Sequence, residues 1–108
     1  MSYRVTHWTG EMESGYPTGR FSELLDELST ADSEHPDVSV VHESEWSLTV
    51  YKSGFLVLEN LEEGEPMYLS PSDATNRMLE LMVGVAEGRI DEVQSAPWLP
   101  GYPPRNPS

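Results

Sequence analysis

Residues 46–60 read Trp46-Ser-Leu-Thr-Val-Tyr-Lys-Ser-Gly-Phe-Leu-Val-Leu-Glu-Asn60, and this stretch determines the predicted fold. Its first half alternates the apolar Trp46, Leu48 and Val50 with other residues, which is typical of a half-buried strand. Ser53-Gly54 follows, and the glycine supplies the positive φ that a tight turn requires. The remaining residues are mostly apolar and form the return strand, so the stretch predicts a β-hairpin.

Further strands are predicted on both sides of this hairpin. Val38, Val40 and Val41 indicate a strand that ends near Glu43, and residues 66–69 indicate another after a turn at 61–65. Residues 2–9 are rich in β-branched and aromatic side chains, and we expect them to form a strand at an edge of the sheet. Residues 10–19 contain several glycines and a proline, which predicts a loop.

Two helices are predicted from apolar residues at helical spacing. The first follows a possible cap at Thr18, ends near residues 29–31, and has an apolar face formed by Phe21, Leu24, Leu25 and Leu28. The second starts at Ser70-Pro71-Ser72-Asp73, stops near Gly88, and has an apolar face formed by Met78, Leu81, Met82 and Val85. Ile90 and Val93 indicate a short amphipathic turn after it.

Strands and helices are segregated along the chain, which favours an α+β fold over alternating βαβ units. We expect an antiparallel sheet of about four to five strands, with two main helices packed on it. Residues 1–102 are predicted to form a single acidic α+β domain, and residues 103–108 a proline-rich tail.

The chain is strongly acidic. Its 108 residues include 19 Asp and Glu against 6 Lys and Arg, so the formal net charge is −13. Without a basic patch, direct binding to nucleic acid or to an anionic membrane surface is not expected, and the charge favours a cationic partner. The absence of cysteine excludes disulfides, thiol nucleophiles and cysteine-based zinc sites.

No segment predicts contact with a membrane. The longest apolar runs are short, such as residues 55–58, and the amino terminus has no basic segment followed by an apolar one. We therefore expect a cytoplasmic protein that neither spans a membrane nor carries a targeting segment.

Motifs of catalysis are not found in the sequence. The signatures GxSxG, SxxK and HExxH are missing, and the glycine-rich stretch near Gly15 and Gly19 lacks the lysine of a phosphate-binding loop. We expect no enzymatic activity and no cofactor.

Metal binding is not predicted either. The densest grouping of potential ligands, formed by Asp32, Glu34, His35 and Asp37, lacks the spacing of an EF-hand. It is interpreted as a solvated acidic loop, with weak binding of a divalent cation as the alternative. His42 lies beside Glu43 and is expected at the surface.

Carboxylates in two predicted turns are the candidates for partner binding. The main group, which falls within seven residues of one hairpin, is Glu59, Glu62, Glu63 and Glu65. Glu43 and Glu45 form a secondary group. These acids either keep the protein soluble or form a negative rim for a basic protein. Tyr68 or Tyr51 would then supply buried contacts.

Trp98 lies in Pro97-Trp98-Leu99-Pro100-Gly101-Tyr102, beyond the periodicity of the second helix. It either folds back as a structural plug or serves as an aromatic anchor for a partner.

The order of these parts resembles the first family of immunity proteins of bacterial polymorphic toxin systems. The resemblance covers about residues 20–102 and rests on the leucine-rich helix at 21–28, the hairpin at 46–58, the second helix and Trp98. Trp46 is the alternative for the characteristic tryptophan. The resemblance implies an α+β fold and a non-enzymatic protein that neutralises a cognate toxin domain, often a deaminase or nuclease acting on nucleic acid. No catalytic residue is carried over.

A different class of function is also consistent with the charge. An acidic regulatory or anti-restriction protein would mimic the nucleic-acid backbone toward a basic host protein, with its carboxylates spaced in two rows.

Overall fold

The computed structural model describes residues 2–30, 37–74 and 76–103, which form one antiparallel sheet with helices packed on it. The strands within these residues are β1 (Tyr3–Thr6), β2 (Met12–Ser14), β3 (Asp37–His42), β4 (Trp46–Tyr51), β5 (Leu56–Asn60), β6 (Met67–Leu69) and β7 (Leu99–Pro100). The sheet has the order β2-β1-β3-β4-β5-β6-β7. The α-helices are α1 (Phe21–Asp26), α2 (Pro71–Ala74), α3 (Met78–Ala86) and α4 (Ile90–Gln94), and 3₁₀ turns occupy Thr18–Arg20 and Glu27–Ser29.

The predicted hairpin lies at the centre of the sheet. β4 pairs with β5 so that Leu48 faces Leu58, and β3 adds Val40 opposite Leu48. The turn requires Gly54 for two reasons, because its φ is 97° and because a Cβ there would lie 3.0 Å from the Cβ of Pro71.

One face of the sheet carries the hydrophobic core. Alternate residues of the strands pack against the helices, and the largest buried contributors are Phe21, Leu24, Leu48, Leu56, Leu58, Leu69 and Met82. Helix α3 contacts β3 and β4 and also packs against α1. Because side chains alternate along a strand, the other residues of each strand point to the opposite face.

The predicted α+β class and the antiparallel sheet are confirmed, but the predicted strand number is wrong because the described residues alone form a sheet of 7 strands. β2 lies in the segment 10–19 that was expected to be a loop, and its residues are all exposed. Because no residue of β2 is buried, the segment does not alternate apolar with polar side chains. Only its pairing with β1 identifies it as a strand. β1 consequently lies inside the sheet, not at its edge.

The seventh strand lies in the proline-rich stretch. β7 pairs Leu99 with Tyr68 and Pro100 with Met67 at the edge of the sheet. A proline is tolerated there because an edge strand needs hydrogen bonds on only one side.

The helices are also more divided than expected. Residues 76–77 form a turn between α2 and α3, and α1 continues into a 3₁₀ turn after Asp26. Thr18 begins a 3₁₀ turn and makes no capping hydrogen bond through its side chain. Asp32, Glu34 and His35, together with residues 104–108 of the tail, lie outside the described residues.

Within the described part of the chain, no helix has the length and apolar character needed to cross a bilayer.

Candidate functional site

The two acidic turns predicted as separate surfaces lie side by side at one end of the sheet. The Nδ2 of Asn60 donates a hydrogen bond to the carbonyl of Ser44 at 3.3 Å. The backbone N–H of Leu61 donates to the carbonyl of Glu45 at 2.9 Å. The turn between β3 and β4 is thereby joined to the loop between β5 and β6.

Asn60 also shapes the second of these turns. Its Oδ1 accepts the backbone N–H groups of Glu62 at 3.0 Å and Glu63 at 3.3 Å, as asparagine does in many turns. Residues 61–65 are all exposed, so their carboxylates face solvent. We call the combined surface the acidic end; it consists of Glu43, Glu45, Glu59, Glu62, Glu63 and Glu65.

Glu45 adopts a backbone conformation that disfavours its own side chain. Its φ is 75°, and it is the only non-glycine residue with a positive φ in the described part of the chain. For a residue with a Cβ this conformation costs on the order of 1 kcal/mol. Strain of this kind is often retained where a side chain has a role beyond folding.

His42 supports the same turn and corrects an expectation, because it is 7% exposed instead of lying at the surface. The backbone N–H of Ser44 donates to the Nδ1 of His42 at 3.1 Å, so Nδ1 is the unprotonated nitrogen. Nε2 then carries the proton and has no hydrogen-bond partner among the described residues.

No carboxylate of the acidic end forms a salt bridge within the described residues, although Arg4 lines a surface depression together with Glu43 and Glu45. The salt bridges of the described residues involve His7, Arg20 and Arg89 instead. The carboxylate of Glu43 accepts the backbone N–H of Ser2, and that of Glu59 accepts the hydroxyl of Tyr102. The field of these carboxylates therefore extends into solvent.

The sheet face opposite the helices presents aromatic side chains. They extend from the acidic end, where Tyr102 contacts Glu59, to the other end of the β4–β5 hairpin, where Tyr51 and Phe55 flank the turn. Tyr68 lies between Val57 of β5 and Leu99 of β7 in the register. The ring centroid of Tyr68 is 6.1 Å from that of Phe55. We call this surface the aromatic strip; it consists of Tyr51, Phe55, Tyr68, Leu99 and Tyr102.

Glu59 connects the aromatic strip to the acidic end. The hydroxyl of Tyr102 donates to the Oε2 of Glu59 at 2.7 Å, and this hydrogen bond is the main reason that the pKa of Tyr102 is raised. Burial raises the pKa of Tyr51, with further contributions from Asp37 and Glu59. Glu59 is thus electrostatically coupled to two tyrosines of the strip.

Trp98, the predicted plug or anchor, lies partly buried beyond α4. Its indole N–H donates to the carbonyl of Val93 at 2.7 Å, and its ring packs against the core cluster. It is not part of the aromatic strip.

A second group of carboxylates surrounds His7. Its Nδ1 lies 2.8 Å from Glu27 and its Nε2 lies 3.0 Å from Glu13. Together with Trp8 and Glu11 these residues line a shallow depression. Within the described residues, no group of three or more His, Cys, Asp or Glu side chains could hold a metal ion.

Sequence reasoning identified the carboxylates, Tyr68 and Tyr51 but missed the other residues that organise the site. Phe55, just before β5, alternates with Val57 and with the predicted Glu59, so their common face could have been found from the period of two. Asn60 just before a turn was a second available signal. The positions of Leu99 and Tyr102 had no sequence signal, because they depend on the pairing of β7 with β6.

Comparison with protein-family models, with curated proteins and with solved structures found no significant match to this chain.

Proposed function

We propose that this protein is a non-enzymatic immunity protein that binds a cognate bacterial toxin domain in the cytoplasm and neutralises it. The expected toxin is a deaminase or nuclease that acts on nucleic acid. Such a toxin needs a cationic groove for its substrate, and an acidic protein is attracted to that groove.

The observation that carries this proposal is the joining of the two acidic turns through Asn60 and Leu61. It places six carboxylates at one end of the sheet, and within the described residues none of them has a salt-bridge partner. The strained backbone of Glu45 supports a role for this end beyond solubility, because a solubility function does not require a carboxylate at that position.

The acidic end is expected to act mainly on the rate of association. Exposed charges at the rim of an interface steer the encounter of two proteins, whereas buried apolar contacts slow dissociation. Charge reversal at exposed turn residues should therefore slow binding with little effect on folding.

The test is the association kinetics of this protein with the toxin domain encoded beside its gene, measured at low and high salt. The variant Glu62→Lys, Glu63→Lys, Glu65→Lys should associate at least about tenfold more slowly at low salt, with a weaker salt dependence. A toxin activity assay with stoichiometric amounts of each variant should show a matching loss of protection.

The matched control reverses three exposed carboxylates on the helical side: Asp26→Lys, Glu80→Lys and Asp91→Lys. It changes the net charge by the same amount, so a much smaller effect identifies the acidic end as the docking site. If association is slowed equally in both triple variants, the acidic end acts only through the net charge of the protein and is not the docking site. If no neighbouring gene product binds the wild-type protein, the immunity function is rejected.

A further inference from the structure

The aromatic strip lies on a sheet face that the described helices leave open. The core cluster contains the strand residues of the other face, and it includes none of Tyr51, Phe55, Tyr68, Leu99 or Tyr102. Leu99 is 45% exposed and Tyr102 is 60% exposed. Exposed apolar side chains that adjoin one another commonly mark an interaction surface.

The surroundings of the strip determine the charge of its occupant. Glu59 touches Tyr102 directly, and the remaining carboxylates of the acidic end lie at the same end of the sheet. A second copy of this chain would bring two proteins of net charge −13 together at their acidic surfaces. Charge complementarity therefore favours a cationic partner over a dimer.

The aromatic rings distinguish between the two common cationic side chains. A guanidinium group is planar, stacks on aromatic rings and pairs with carboxylates through a fork of N–H donors, whereas an ammonium group is a strongly hydrated point charge. Tyr102 and Glu59 offer a ring and a carboxylate in direct contact. This combination suits arginine better than lysine.

We propose that the aromatic strip binds an arginine-bearing segment of the basic partner protein. The guanidinium groups stack on Tyr102, Tyr68 or Tyr51 and pair with Glu59, while the acidic end attracts the segment. This inference rests on the proposed function, because it assigns the apolar half of the same binding surface.

The test uses two synthetic peptides of equal length and charge as probes, one alternating Arg with Thr and the other alternating Lys with Thr. Binding is measured by titration calorimetry, and the contact surface is mapped by amide chemical shifts of the labelled full-length chain. We expect the arginine peptide to bind about fivefold more tightly, with shifts concentrated in β4 to β7.

Variants separate the strip from the acidic end. Tyr102→Ala and Leu99→Ser should each weaken binding of the arginine peptide and reduce its advantage over the lysine peptide. Tyr102→Phe keeps the ring and removes the hydrogen bond to Glu59, so it should retain most of that advantage. Leu79→Ser is the matched control, because Leu79 is 44% exposed on α3 and should leave binding unchanged.

Three results would overturn the inference. They are equal affinity for the two peptides, shifts confined to the turns of the acidic end, and no binding of either peptide. Self-association in sedimentation experiments that Leu99→Ser abolishes would instead identify a second copy of the chain as the occupant. None of these results contradicts the proposed function if the variant Glu62→Lys, Glu63→Lys, Glu65→Lys still binds the toxin domain more slowly than the wild-type protein.

Discussion

His7 links three segments of the chain because both of its ring nitrogens lie against carboxylates. Nδ1 faces Glu27 in the 3₁₀ turn after α1, and Nε2 faces Glu13 in β2. The rings of Tyr16 and His7 also pack in a T-shaped arrangement, with 5.4 Å between the ring centroids, and Glu11 lines the same depression. An imidazole donates to two carboxylates at once only when both nitrogens are protonated.

The pKa of His7 follows from this arrangement. Burial lowers it, but the hydrogen bonds and charges of Glu27 and Glu13 outweigh burial, so the pKa is raised above the usual 6.5. The folded chain therefore binds this proton more tightly than the unfolded chain. The resulting stabilisation is fully present below the unfolded pKa and is lost as the pH rises through the folded pKa.

The variant His7→Gln should therefore lose more stability in mildly acidic solution than in alkaline solution. The free energy of unfolding, measured with urea, should fall by on the order of 1 kcal/mol more at pH about 6 than at pH about 9. Glu13→Gln removes one of the two partners and should reduce this pH-dependent difference. A loss of stability that is the same at both pH values would contradict the arrangement.

At the scale of elements, α3 and α4 pack against each other at Gly84. A Cβ at this position would lie 2.7 Å from the Cγ2 of Val93, which is closer than two carbons can approach. Glycine is thus required here by space, since Val93 is itself buried at 2% exposure.

The variant Gly84→Ala should consequently be destabilised by about 1–3 kcal/mol through overpacking. In a Val93→Ala background the same substitution should cost much less, because the clashing methyl group is gone. A double-mutant cycle based on chemical denaturation gives the coupling. If the losses of stability caused by Gly84→Ala and Val93→Ala simply add in the double variant, α3 and α4 can move apart to accommodate the Cβ.

Trp98 attaches the chain that follows α4 to the body of the domain. Trp98→Ala should cost on the order of 3 kcal/mol, since it removes both the ring packing and the hydrogen bond to Val93. Trp98→Phe keeps much of the packing and should cost about 1 kcal/mol. If Trp98→Ala unfolds with the same free energy as the wild-type protein, Trp98 has no structural role. If that variant also fails to bind the partner, Trp98 is an anchor in the interface.

The sequence predicted the central strands of the sheet but not the strands at its two edges. β3 to β6 carry alternating or continuous apolar residues between clear turns, so their existence and antiparallel order followed from local patterns. β2 and β7 carry no such pattern, because their residues are exposed and their strand geometry depends on β1 and β6. The candidate site shows the same division: its carboxylates were predictable, but its assembly needed contacts between distant residues such as Tyr102 and Glu59.

At the scale of the whole molecule, the excess of negative charge opposes folding. With 19 acidic residues against 6 basic ones, repulsion between like charges is stronger in the folded chain than in the expanded unfolded chain. Dissolved salt screens this repulsion over a length of about 10 Å at 0.1 M.

The midpoint of thermal unfolding should therefore rise when sodium chloride is increased from about 0.01 M to about 0.15 M. The triple Lys variant of the acidic end, which carries less negative charge, should show a smaller rise. A fall in the midpoint with salt would mean that attractive pairs such as those of His7 outweigh the repulsion.

The order of the strands also affects how the chain reaches its native state. β3, β4, β5 and β6 are neighbours both in the chain and in the sheet, so their pairing closes only short loops. The pairings of β1 with β3 and of β7 with β6 instead join segments that are distant in sequence, and the entropic cost of closing those loops delays them. The sheet is therefore expected to grow outward from its central hairpin, and the amide protons of β4 and β5 should be the last to exchange with solvent.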